Sequence, residues 1–213
     1  MHEELLDIFD EAGAQIGVAK RTEAHRLGLW HQTFHCWIYR VQEGGIQLLF
    51  QKRHPDKDTS PNLLDITSAG HLVASERPED GVRELEEELG LPVAFAALEP
   101  IGVIRDIGKE PGIIDKEICH VFTYACDQPL HAYQLQPEEV TGLFWVRLDD
   151  LEPLFAGKRD RLEASGFLVE GDGGTKRDVA LEVGQRAFVP HESHYYEQVF
   201  AAVRRIGTAL LEK

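Results

Sequence analysis

The segment from Val82 to Leu91, VRELEEELGL, constrains the fold of this 213-residue chain more than any other. Pro78 suits a first helical turn and Gly90 suits the position just past a helix end, so a helix is expected over 78–89. At about 100° per residue, Val82, Leu85 and Leu89 form one narrow apolar stripe that docks the helix on a core. Glu84, Glu87 and Glu88 fall on the opposite face, between about 140° and 240° from Val82. Like charges at this spacing repel by roughly 0.2–0.5 kcal/mol per pair, and acids near a helix C-terminus oppose its dipole. Either the face is a solvated acidic surface, or a bound cation removes the repulsion. Three hard oxygen donors suit Mg²⁺ or Mn²⁺. Arg83, four residues before Glu87, can pair with it.

The flanking chain reads as strands with few, separated helices, which points to a mixed sheet between helices. Residues 5–9 and 16–19 flank a turn and predict an N-terminal hairpin. Residues 34–41 and 46–52, separated by Gly44-Gly45, predict a second. Short strands are expected over 63–67, 101–107, 117–124 and 143–146. The glycines and proline of 108–115 predict a loop. The segment 156–190 is ambiguous apart from a turn at 171–174. Tyr195, Val199, Val203, Ile206 and Leu210 recur at helical spacing, so a terminal helix is expected, free to pack on the sheet or to mediate a homodimer.

Charge and cysteines narrow the classes. A net charge of −15 repels phosphate backbones, and no basic run exceeds two residues, which argues against a nucleic-acid partner. No apolar stretch approaches the roughly 18–20 residues of a spanning helix, so no membrane partner is expected. The first residues, MHEELLDIFD, lack a basic-then-apolar leader. Three cysteines, Cys36, Cys119 and Cys126, fit a reduced, cytoplasmic chain.

The spacing around the acidic helix resembles the signature of the Nudix hydrolase superfamily, G-x(5)-E-x(7)-R-E-U-x-E-E-x-G-U, with U aliphatic. Gly70, Glu76, Arg83-Glu84-Leu85, Glu87-Glu88 and Gly90-Leu91 supply its positions. The match departs once: six residues, not seven, separate Glu76 from Arg83. The resemblance implies an α/β/α sandwich with a mixed sheet, and one domain over 1–213. Its parts would be the hairpin at about 1–29, a core at about 30–155 and an extension at about 156–213. It implies that Glu84, Glu87 and Glu88 hold Mg²⁺ or Mn²⁺, with a backbone carbonyl near Gly70; Glu117, on a strand expected to face the helix, is a candidate further ligand. Arg83 would orient the carboxylates. The implied reaction is hydrolysis of a nucleoside diphosphate linked to a moiety X, a small-molecule substrate. Glu84 is one candidate base, and Glu139, in Pro137-Glu138-Glu139-Val140, is another.

A second resemblance covers roughly residues 1–151. The chain is similar to isopentenyl-diphosphate isomerase and its related hydrolases. The isomerase's histidine-bearing segment matches His25 through His31 to His35-Cys36-Trp37, and its third metal histidine matches His71. Its diphosphate contacts match Arg53 and Lys57, and its Glu-x-Glu strand matches Asp115-Lys116-Glu117. Ala69 stands where that enzyme carries its catalytic cysteine. A methyl group can neither donate nor accept a proton, so the resemblance implies a hydrolase on the isomerase's architecture. An isomerase using some other acid, and a non-catalytic diphosphate sensor, are the alternatives. His31 and His35 are either metal ligands or core histidines. Trp30 and Trp37 either stack a base or pack the core.

Overall fold

The computed structural model describes residues 3–171 and 174–211. The elements run β1 (Leu5–Phe9), β2 (Gln15–Lys20), α1 (Arg21–Leu27), β3 (Trp30–Gln42), β4 (Gly45–Arg53), β5 (Leu64–Asp65) and β6 (Ser68–His71). They continue with α2 (Arg83–Leu89), β7 (Glu99–Glu110), β8 (Ile113–Ala125), β9 (Val140–Arg147), α3 (Leu148–Phe155), β10 (Leu162–Glu170), β11 (Thr175–Val183) and α4 (Ser193–Leu211).

β3 organises the molecule. It pairs antiparallel with β1, β4 and β6 and parallel with β8, which makes the sheet mixed. Successive side chains of a strand point to opposite faces. Phe34, Cys36 and Ile38 therefore enter one apolar layer with Leu85 and Leu89 of α2. Trp37 and Tyr39 enter the other, with Tyr195, Tyr196 and Val199 of α4. Helices on both faces of one mixed sheet make the expected α/β/α sandwich, with β1 and β2 as the N-terminal hairpin. Burying each large apolar side chain of these layers contributes about 1.5–3 kcal/mol. The stripe of α4 is buried at Tyr195, Val199 and Val203, while Leu210 is exposed. That face is thus spent on the sheet.

Four sequence expectations change. The acidic helix begins at Arg83, not Pro78. Residues Asp80–Val82 form a 3₁₀ turn, with Gly81 pressed against Phe34, where a Cβ would clash. Gly90 closes the helix at φ +62°, and the amides of Gly90 and Leu91 reach back to Glu86 and Leu85. The strand expected over 63–67 is two: β5 pairs with β4, and β6 crosses to β3. Residues 108–115 are no loop. β7 and β8 stay paired out to Glu110↔Ile113, so Pro111-Gly112 alone makes the turn, with Gly112 at φ +82°. The ambiguous 156–190 segment folds as the β10–β11 hairpin, added to β9 at the sheet edge.

Candidate active site

β6 and α2 meet along one line. The Glu84 carboxylate lies so close to Gly70 that any Cβ there would overlap it. Arg83 holds the group together. Its Nε and Nη2 donate to the two oxygens of Glu76 at 2.9 and 3.1 Å, and Nη2 also reaches the His71 carbonyl at 3.1 Å. Its Nη1 pairs with Glu84 and, at 3.2 Å, with Glu87. A planar fork with five donors can do this; a lysine cannot. The shortened spacing before Arg83 leaves Glu76 within reach, and Glu76 also accepts the Val73 amide at 2.8 Å.

The three helix glutamates do not share a solvated face. The Glu87 side chain is 54% exposed and Glu84 only 12%, while Glu88 is buried and accepts the Ala69 amide at 3.2 Å. The helical wheel misplaced them because α2 is walled on two sides, by the apolar layer and by β6. Burial raises Glu84 to about 7, against the pull of Arg83, and raises Glu88 to about 8, with Glu84 adding repulsion. Carboxylates that hold protons this tightly bind a divalent cation by releasing them. Gly70→Ala, which would displace the Glu84 carboxylate, is expected to weaken Mg²⁺ or Mn²⁺ binding at least tenfold (about 1.4 kcal/mol) by calorimetric titration. An unchanged affinity would remove Glu84 from the metal site.

Two other sets of donor atoms converge more tightly, each within 4.8 Å: His25, His31, His71 and Asp115, and His35, Glu117 and Cys119. In the first set the His31 ring nitrogen Nδ1 lies 3.0 Å from the Leu29 carbonyl. A carbonyl only accepts, so Nδ1 carries the proton and Nε2 presents a lone pair. That lone pair faces Asp115 Oδ1 at 3.2 Å, and neither buried atom has a hydrogen-bond partner. His25 Nε2 lies 3.2 Å from His71 Nε2, and burial holds His25 down at about 4 and His71 well below the usual range. A His31 lone pair aimed at a carboxylate oxygen fits a cation between them, and three imidazoles with one carboxylate suit a borderline metal in tetrahedral geometry. The Leu29 carbonyl is the outer-shell partner that such a histidine uses.

Glu117 joins the second set rather than the helix glutamates. It lies 3.7 Å from both His35 Nε2 and Cys119 Sγ. Burial, then the Asp115 charge, pushes its carboxyl well up. Burial likewise pushes the Cys119 thiol up, so the thiol is inert. His35 Nδ1 bonds the Tyr195 hydroxyl at 2.8 Å, which also accepts from Trp37 Nε1 at 3.2 Å.

Glu84, Glu87, Glu88, His35, His71, Asp115 and Glu117 line a cavity of about 1090 Å³. The two basic residues expected to hold a diphosphate reach it already engaged. Arg53 donates to Asp65 at 2.7 Å and to the Thr59 carbonyl and hydroxyl at 2.9–3.1 Å. Its fork closes a loop, so it is not a free phosphate contact. Lys57 is ion-paired with Glu139. Sequence reasoning missed His191, which the segment before α4 inserts into the same wall. His191 Nδ1 donates to Asp106 at 2.6 Å, and its ring stacks on Tyr195 at 4.3 Å. Burial alone would lower its pKa; the Asp106 and Asp65 carboxylates outweigh that and raise it to about 9. No spacing rule links His191 to partners 85 residues away. Trp30 and Trp37 are buried in packing rather than in the cavity wall.

A family model described as the NUDIX domain matches residues 9–164. An uncharacterized Nudix hydrolase of Clostridium acetobutylicum is 43% identical over 206 residues, 95% of this chain and 98% of that protein. An isopentenyl-diphosphate Delta-isomerase of Aliivibrio fischeri is 32% identical over 154 residues, 70% of this chain and 83% of that enzyme. A crystal structure of a Deinococcus radiodurans protein superposes with a TM-score of 0.54 at 21% identity, covering 80% of this chain and 95% of that one, a likeness of fold. Among the described residues no helix is long and apolar enough to cross a membrane.

Proposed function

The chain belongs to the Nudix family, and on that premise we propose that it hydrolyses a diphosphate linkage in a small-molecule substrate, for which the sequence resemblance implies a nucleoside diphosphate joined to a moiety X. The observation that carries this reading is the Arg83 fork, which ties Glu76, Glu84 and Glu87 together beside Gly70. Glu84, Glu87, Glu88 and the Gly70 carbonyl are the proposed ligands of Mg²⁺ or Mn²⁺, and His25, His31, His71 and Asp115 those of a second cation. A divalent cation there supplies neutralisation of the diphosphate charge and a lowered pKa for a bound water.

The chain's own residues do the rest. Glu84, whose carboxylate accepts a proton once ionised, is the proposed base for the attacking water. The water oxygen bonds to phosphorus, the bridging P–O bond breaks, and the leaving phosphate departs with the electron pair. Arg83 holds the carboxylates that would otherwise spring apart. Glu117 sits with His35 and Cys119, so its role is to shape the cavity wall near the histidine site rather than to join the helix glutamates.

Ala69 weighs against the isomerase alternative. Its side chain carries no exchangeable proton, and its amide is engaged by Glu88. A sensor alternative does not need a base-poised Glu84. The test is to incubate the protein with Mg²⁺ or Mn²⁺ and a panel of diphosphate-linked compounds, following release of monophosphate products. Turnover is expected, abolished by EDTA and by Glu87→Gln. Tight binding without turnover would sink the enzyme reading, and conversion of isopentenyl to dimethylallyl diphosphate would sink the reading of Ala69.

A further inference from the structure

His31 and His35 stand four residues apart on β3, so their side chains leave the same face of the sheet. Each belongs to one of the two sets of convergent donor atoms. Whether such a set can take a cation depends on which ring nitrogen carries the proton. That is decided by the group bonded to the other nitrogen. For His31 the group is the Leu29 carbonyl, which only accepts, so Nδ1 holds the proton and Nε2 is open. For His35 it is the Tyr195 hydroxyl, 2.8 Å from Nδ1.

A hydroxyl can donate once and accept twice. The Tyr195 hydroxyl already accepts from Trp37 Nε1, a group that only donates, at 3.2 Å. Tyr195 is fully buried, and among the described residues His35 Nδ1 is the one acceptor for its proton. A buried hydroxyl left without an acceptor is costly, so the hydroxyl donates and Nδ1 accepts. The His35 proton is therefore on Nε2. Burial, then the His191 charge, holds the ring neutral. An imidazolium would carry a proton on Nε2 as well, so the conclusion does not depend on charge.

Nε2 is the His35 atom that faces the rest of its set. It lies 3.7 Å from Glu117 Oε2, and the Cys119 thiol, a weak donor, lies 3.7 Å from the same oxygen. Two protons thus face one carboxyl oxygen, where His31 presents a lone pair to Asp115. Metal ligands must shed their protons, and here the tyrosine keeps one in place.

We propose that Tyr195 is a positioning residue: it fixes His35 as a proton donor towards Glu117 and thereby closes the His35, Glu117 and Cys119 set to divalent cations, while the set around His31 stays open. The residue that makes this distinction lies on α4, beyond the residues 9–164 that the family model matches. Two measurements on the full chain test it, and neither needs turnover. In ¹⁵N-labelled protein at neutral pH without divalent metal, long-range proton–nitrogen correlations are expected to show His35 with a protonated Nε2 and a bare Nδ1, the signals being those lost in His35→Gln. A protonated Nδ1 with a bare Nε2 overturns the proposal. In Tyr195→Phe the ratio of the two forms is expected to fall about tenfold, the worth of one hydrogen bond. An unchanged ratio removes Tyr195 as its cause. Co²⁺ is the second probe. Wild-type protein titrated with Co²⁺ is expected to show no thiolate-to-cobalt absorption, and Cys119→Ser to bind the same number of Co²⁺ ions. Such absorption in the wild type, abolished by Cys119→Ser, overturns the proposal whether or not Tyr195→Phe folds.

Discussion

Glu84→Gln is expected to lower kcat about 1000-fold at saturating Mg²⁺ while leaving the fold intact. The amide has the shape of the carboxyl, so it can still lie against Gly70 and keep a bond to Arg83. It loses the negative charge that a divalent cation needs and the ability to take a proton, a role worth roughly 10²–10⁴ in rate. The metal-free carboxyl titrates at about 7, held up first by burial. A cation beside it favours the charged form and moves that value down. The acid limb of the kcat profile is therefore expected below pH 7, and lower still when Mn²⁺ replaces a weaker-binding ion. Glu139 provides the contrast: it is ion-paired with Lys57, and Glu139→Gln is expected to keep kcat within about tenfold. A loss of less than tenfold in Glu84→Gln, with a large loss in Glu139→Gln, would move the base to Glu139.

What the sequence made legible follows from the range of each interaction. The carboxylate cluster, its arginine and its capping glycine lie within two helical turns of one another, where spacing alone dictates neighbours. Residues 34–41 and 46–52, with Gly44-Gly45 between them, likewise predicted the β3–β4 hairpin from adjacent residues. Partners set by tertiary folding were not legible. Arg53 and Lys57 look free in sequence, yet Asp65, Thr59 and Glu139 take them up once β4, β5 and the loop before β9 converge. The burial of Glu88 escaped the helical wheel, which knows one wall and not two. The hairpin at 108–115 escaped because glycine and proline mark a turn without marking its length.

Without divalent metal, the protein is expected to lose stability as pH rises from 6.5 to 9. The sign follows from which state holds more protons. His191, held protonated by Asp106 and Asp65 up to about 9, contributes fully below an unfolded value near 6.5 and loses that contribution as pH rises through 9. That shift corresponds to roughly 3 kcal/mol, or on the order of 6–12 °C in melting temperature for a chain of this size. Glu88 and Glu84 act in the same direction. Their folded values of about 8 and 7 lie above the ordinary carboxylate range, so the folded state must ionise buried acids as pH climbs. Below 6.5 buried His25, His35 and His71 oppose the glutamates and His191, because they resist the protons that the unfolded chain takes up. The depressed carboxyls of Asp65, Asp106 and Asp115 act only at lower pH. Saturating Mn²⁺ binds the ionised glutamates and offsets their part of the fall, leaving the part due to His191. Melting curves from pH 6.5 to 9 in EDTA and in excess Mn²⁺ measure this directly. Glu88→Gln is expected to flatten the EDTA curve between pH 6.5 and 8, and His191→Gln between 7 and 9. Stability that rises with pH in EDTA across this window would contradict the buried, protonated state of both groups.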